Sequence, residues 1–338
     1  MELYELAREK MTVCKGCRFC NGEACRGNSL GPGGKGTGES FIRNIEALRD
    51  IRLVMDTIHE DYEVSCECEL FGKRMSAPIF AAPIASVKDH FGCEMDEYEY
   101  NDVIVSGMRE SGMYAFLGDG AKDSYFNAPI KALTKYTGDA IMTIKPWEKR
   151  VLDKKLEFAL NTKPVAIAMD VDASGLIHLK HTATPISFKS VEELRSIRKS
   201  IPGDFIVKGI LSVAGAAKAL EAGASAIIVS NHGGRVLDYC PSGIEVLEEI
   251  VQFVDGRMTI LVDGGFRSGV DVFKALALGA DGVLIGRPFS IAAIADGKNG
   301  VSSYATKLRN ELLDAMRMTG CESVKDITRD KVKVVSEK

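Results

Sequence analysis

DFIVKGILSVAGAAKALEAGASAIIVSN (204–231) decides the fold. It begins and ends on short apolar runs, DFIVKG (204–209) and SAIIVSN (225–231), joined by a longer amphipathic segment. A continuous run rich in Val and Ile reads as a strand buried on both faces, and the segment between two such runs reads as a helix. Working outward, the same alternation recurs. PIFAAPIA (78–85), MYAFLGD (113–119), AIMTIKP (140–146) and VAIAMDV (165–171) precede it, and TILVDGG (259–265) and GVLIGR (282–287) follow. Eight parallel strands in one chain close into a barrel, because an open sheet of that length leaves two exposed edges. The expected fold is therefore α/β, a (β/α)8 TIM barrel over 78–338.

The first 77 residues do not share this pattern. Leu3, Leu6, Ala7 and Met11 fall at helical spacing, and SFIRNIEALRDI (40–51) is periodic again. The glycine-rich run GNSLGPGGKGTGES (27–40) between them reads as loop. YEVSCECELFGKRMSAP (62–78) alternates as a hairpin. Residues 1–77 are thus expected to form a Cys-rich helical and hairpin cap on one end of the barrel.

With 338 residues, 46% of them hydrophobic, the chain has material for one large core. A net charge of −4 without a basic block argues against nucleic acid and anionic membrane as partners. MELYELAREKM has acidic residues where a signal peptide has basic ones, and no apolar run approaches membrane-spanning length. A cytoplasmic, reducing setting is expected, and there nine cysteines point to free thiols, metal or redox chemistry.

Asp170, Lys208, Ser230, Asn231, His232, Asp263 and Arg287 all fall at or just after strand C-termini, where a barrel enzyme builds its site. DGGFRSG (263–269) and GRP (286–288) supply the phosphate end. Gly264 and Gly265 admit a ligand close to the backbone, and Arg267 and Arg287 add forked positive charge. In SNHGGRVLD (230–238), His232 can take a proton and Arg235 can grip a carboxylate bidentately. Asp170 is the expected partner that orients His232. His59, His90, His178 and His181 read as loop or surface residues.

VKG, SNHGGRVLDYCPSGIEVLEEIV and DGGFRSGVDVFKALALGADGVLIGRPF together resemble the FMN-dependent α-hydroxy-acid oxidase and dehydrogenase family, which includes glycolate and lactate oxidases. The resemblance is collinear over about 200–330 and looser over 40–180, through APIAS (82–86). It implies oxidation of a small (S)-2-hydroxy acid to the 2-oxo acid, with His232 as base and Arg235 binding the substrate carboxylate. Lys208 would face the flavin N1/O2 edge and Ser230 its ring, with backbone around Pro83, Ile84 and Ala85 on the N5 side. Asp263, Gly264, Gly265, Arg267, Gly286 and Arg287 would hold ribityl and phosphate. Asp170 matches the family aspartate that pairs with the histidine. Expected partners are the hydroxy acid, an electron acceptor (dioxygen or a redox protein) and further copies of the chain.

The chain also departs from the family. DVDASGLIHLKH (170–181) lacks the family's arginine pair, LGDGAKDS (117–124) replaces a serine-containing flavin contact, and Lys145 or Trp147 stands where the family has a tyrosine. Lys145 thereby becomes a candidate substrate-binding residue. CKGCRFCNGEAC (14–25) occupies the place of a segment that normally closes the substrate pocket. Its Cys14, Cys17, Cys20 and Cys25 could hold an iron–sulfur cluster or zinc, with Cys66, Cys68 or Cys93 available as further ligands, or remain reduced thiols. Iron–sulfur is the preferred reading, with the cluster over the flavin face. Two other functions compete with the hydroxy-acid enzyme. One is an isomerase of the type 2 isopentenyl diphosphate kind, which generally lacks the His–Arg pair. The other is a flavin and thiol redox sensor, which has no need of a base.

Overall fold

The computed structural model of the chain describes residues 3–179 and 186–335. Eight parallel strands form a closed barrel. They are β1 (Ile79–Ala81), β2 (Tyr114–Leu117), β3 (Ile141–Ile144), β4 (Ala166–Asp170), β5 (Asp204–Ile210), β6 (Ala226–Val229), β7 (Thr259–Asp263) and β8 (Gly282–Ile285). Each lies inside one of the apolar runs named above, except that β5 runs one residue past DFIVKG to Ile210. Neighbours in sequence are neighbours in the barrel, and β8 closes it by pairing with β1 through Val283, Leu284 and Ile285.

Every residue of β3, β4, β6 and β8 is buried, which is why these strands read as unbroken apolar runs. Side chains facing inward fill the barrel, while those facing outward meet the helices. Helix Val213–Glu221 crosses between β5 and β6 and is capped by Ser212, whose hydroxyl accepts from the Gly215 amide.

The N-terminal segment follows its expected layout. Helices Leu3–Arg8 and Glu39–Arg49 flank the glycine-rich loop, and Cys68–Leu70 pairs antiparallel with Lys73–Met75. This segment is tied to the other end of the chain. Ile51–Leu53 pairs antiparallel with Val332–Val334, and helix Leu3–Arg8 packs on the last long helix, Arg287–Met318. Helix Glu39–Arg49 packs against the His232 turn. Gly234 (φ 80°) permits that approach, since a Cβ there would lie 2.4 Å from the Phe41 amide nitrogen.

Candidate active site

The site begins with strand register. Asp170 at the end of β4 lies opposite Lys208 on β5, so a carboxylate and an ammonium are buried side by side. Lys208 Nζ donates to Ser230 Oγ (3.0 Å) and lies 3.4 Å from Asp263 Oδ2 and 3.6 Å from Asp170 Oδ1. Lys145 Nζ donates to Asp170 Oδ2 from the other side (3.3 Å). Burial alone would pull the Lys208 ammonium down, but Asp263, Asp170 and Asp172 more than offset it and hold it charged above the ordinary lysine value. Burial would likewise push Asp170 up; the positive charges of Lys208 and Lys145 instead hold its carboxyl well below the usual range.

The expected pairing of Asp170 with His232 is not the one formed. His232 Nδ1 lies 3.0 Å from Asp172 Oδ1, while Asp170 is committed to the two lysines. Asp172 sits in the tight turn just after β4. Room for it comes from Gly209 (φ 101°), at an irregularity of the β5–β6 register, where a Cβ would lie 2.5 Å from Asp172 Cγ. His232 itself has φ 56°, a left-handed conformation uncommon for a non-glycine residue. The turn is pinned from below. The His232 amide donates to Ser230 Oγ (2.9 Å), and Asn231 exchanges side-chain hydrogen bonds with Asn44 (2.9 and 3.0 Å). Asn44 is a contributor that the sequence does not announce.

Arg235 is held by the glycine-rich loop. Its Nη1 donates to the carbonyls of Gly31 (2.7 Å) and Gly33 (3.2 Å), and Nη2 to that of Ser29 (3.3 Å) and to His90 Nε2 (3.4 Å). None of these bonds uses Nε. Burial, then the like charge of Arg287, brings its pKa down to about 9. The loop is anchored in turn by Lys35, which donates to the carbonyls of Gly175 (2.7 Å) and Val236 (2.6 Å), and by Asp238, which accepts from Thr37. The element that covers this side of the pocket is therefore the loop 29–33 and not the cysteine run. His90, read as a loop or surface residue, also belongs to the mouth. His59 is exposed, as read, and His181 lies outside the described residues.

The remaining candidates gather at the same mouth. Pro83, Ile84, Ala85, Asp263, Gly264 and Gly265 line it together with Arg267, Gly286 and Arg287, as do Lys145, Asp170, Lys208, His232 and Arg235. Ser230 lies behind this lining, buried beneath Lys208 and His232. Arg267 donates through Nε and Nη2 to the Cys20 carbonyl (3.1 and 2.9 Å). Arg287 donates to the carbonyls of Pro32 (2.7 Å) and Gly233 (3.2 Å) and stacks on Phe41, 3.8 Å from its ring centre. Both keep further guanidinium donors for an anion. Asp119, fully buried after β2, accepts from the Lys145 amide (3.1 Å), Trp147 Nε1 (2.5 Å) and Lys155 Nζ (2.5 Å). It locks the Lys145–Trp147 turn in place.

A barrel mouth with a buried lysine, a histidine–carboxylate pair and an arginine-rich end defines an α/β barrel of the anionic-cofactor class. The chain belongs to the FMN-dependent dehydrogenase family, which residues 30–174 and 147–334 match. It is 33% identical to the 4-hydroxymandelate oxidase of Amycolatopsis orientalis over 322 residues, covering 86% of this chain and 89% of that protein. A peroxisomal (S)-2-hydroxyacid oxidase of Arabidopsis thaliana is 53% identical over 152 residues, 45% of this chain but only 41% of that protein. A solved mandelate oxidase bound to (S)-2-phenylpropionate superposes with a TM-score of 0.79 at 29% identity, covering 99% of this chain and 98% of that one. A mandelate oxidase variant holding an FMN adduct gives 0.76 at 30% identity, over 98% and 99% of the two chains.

The residues present suit FMN. Oδ1 of Asp263 and Oδ1 of Asp170 are buried oxygens without a hydrogen-bond donor among the described residues, and both side chains line the mouth. Ribityl hydroxyls and a flavin ring N–H are donors of the kind such oxygens require. Among the described residues no helix is long and apolar enough to cross a membrane.

Proposed function

We propose that this chain oxidises a 2-hydroxy acid to the 2-oxo acid. The observation that carries this reading is the contact between His232 Nδ1 and Asp172 at 3.0 Å on the rim of the mouth. With Nδ1 engaged by a carboxylate, Nε2 is the nitrogen left to take the substrate's hydroxyl proton, and Asp172 stabilises the imidazolium that forms. Arg235 holds the substrate carboxylate through its Nε edge, its other donors being fixed by the loop. FMN, when bound, accepts the reducing equivalents, and the protein contributes orientation and electrostatics. Lys208, backed by Ser230, would sit at the pyrimidine edge of the ring, Asp263, Gly264 and Gly265 along the ribityl chain, and Arg267, Gly286 and Arg287 at the phosphate. Lys145, locked by Asp119 and Asp170, replaces an uncharged hydrogen-bonding group beside the substrate.

The acids named for the relatives, hydroxymandelate and other (S)-2-hydroxy acids, define the panel to try. Anaerobic mixing of the yellow protein with these acids should bleach the flavin with at least one of them; an unbleached flavin across the panel would refute the assignment. The rate of reoxidation in air then separates an oxidase from an enzyme that delivers electrons to a redox protein. The nine free thiols support a reducing compartment.

A further inference from the structure

The run Cys14, Cys17, Cys20 and Cys25 takes no part in the chemistry above, yet all four line one small cavity. The cavity borders the barrel mouth, sharing Pro32, Phe91 and Arg287 with it as walls. It thus sits beside the Arg287 end of the mouth. Its other walls are largely apolar. Phe41, Phe91 and Ile291 are each almost completely buried.

The segment carrying the thiols is held in shape by contacts unrelated to sulfur. Arg8 donates twice to the Gly16 carbonyl (3.2 and 2.9 Å), and the Val13 and Cys14 amides donate to the Phe91 carbonyl (3.2 and 3.1 Å). Gly16 and Gly22, at φ 53° and 93°, turn the chain back between cysteines. Four cysteines are thereby brought to one largely apolar cavity by a scaffold that fixes their backbone.

Their spacing discriminates between metals. A tetrahedral zinc ion holds its sulfurs at about 2.3 Å from the metal, and hence at roughly 3.8 Å from one another. No three of these sulfurs lie within 4.8 Å of one another; among the described residues only Asp170, Asp172 and His232 form such a trio. A cubane binds each thiolate through a different iron, so its four ligands stand farther apart around a larger body. A thiolate-bound cluster is also an anion, and cations are in place for it. The buried Arg287 guanidinium lines the cavity, and Arg267 Nη2 reaches 3.7 Å from Cys20 Sγ.

We propose that Cys14, Cys17, Cys20 and Cys25 bind a [4Fe–4S] cluster beside the phosphate end of the barrel. With Arg287 bordering both cavities, this is a one-electron centre placed one side chain away from the cofactor mouth.

The test is purification of the full chain without oxygen after expression with iron and sulfide supplied. About four irons and four acid-labile sulfides per chain are expected, with an electron paramagnetic resonance signal on dithionite reduction. Cys14→Ser and Cys17→Ser should each lose most of that iron and the signal, whereas Cys66→Ser and Cys321→Ser should keep both. One zinc per chain, or a chain with neither iron nor sulfide after reconstitution, would overturn the proposal, as would full iron in both Cys14→Ser and Cys17→Ser. Iron and sulfide are counted whether or not any hydroxy acid bleaches the flavin, so this outcome is separate from that of the proposed reaction.

Discussion

His232 and Asp172 are 60 positions apart in sequence and in direct contact, Nδ1 to Oδ1 at 3.0 Å, through a space that only the glycine at 209 leaves open. Asp170 stands two residues earlier and faces lysines instead. The two aspartates therefore separate in experiment. His232→Ala should abolish flavin bleaching by the hydroxy acid while FMN remains bound. Asp172→Asn should slow anaerobic bleaching on the order of 10³-fold by losing the ring's orientation and charge partner. Asp170→Asn should slow it much less. Equal losses at both aspartates would undo the assignment.

Arg235 gives a second prediction. Its Nη donors are taken by loop carbonyls and His90, which leaves Nε for a ligand, an arrangement that a planar fork can satisfy and a point charge cannot. Arg235→Lys should raise KM for the hydroxy acid on the order of 100-fold, the equivalent of about 2–3 kcal/mol for a hydrogen bond between charged groups. Steady-state kinetics on the best acid of the panel would show it. An unchanged KM would place the substrate carboxylate elsewhere.

The barrel was legible because both faces of its strands are buried, so each strand announces itself as an apolar run regardless of its partners. The arginines, Lys208 and His232 were legible because strand ends in a barrel converge. Asp172 was not, because the strand stops at Asp170 and the following turn sets the direction of the next carboxylate. The space at Gly209 that receives it is a tertiary fact. The same holds for the loop 29–33. Its composition says only that it is irregular, while its grip on Arg235 depends on anchors at Gly175, Val236 and Asp238. His90 reads as an ordinary loop histidine until the fold carries it to Arg235.

The buried ion pairs yield a stability prediction. Lys145 and Lys208 approach Asp170 from two sides, and all three side chains are almost fully buried. Removing one cation leaves the carboxylate under-compensated in a poorly solvated place. Lys145→Met should cost about 3 kcal/mol in urea unfolding. Lys145→Met combined with Asp170→Asn should cost less than the sum of the single changes, by about 1–3 kcal/mol. Strict additivity would mean that the pair contributes nothing through direct interaction.

Glu97 supplies the pH dependence. Its Oε1 accepts the Val87 amide (2.7 Å), its Oε2 is buried without a donor among the described residues, and Asp89 and Asp96 lie nearby. Burial pushes its carboxyl from 4.5 up to about 7. The folded state thus retains a proton between these values that the unfolded chain has released. The stabilisation is full below about 4.5, falls as pH rises toward 7, and is gone above it. A shift of that size corresponds to at most about 3 kcal/mol. Glu97→Gln removes the titration, so between pH 5 and pH 8 the unfolding free energy of the native chain should decline relative to that of Glu97→Gln by about that amount or less. Parallel pH profiles for the two proteins would show that Glu97 is ionised in the folded state throughout.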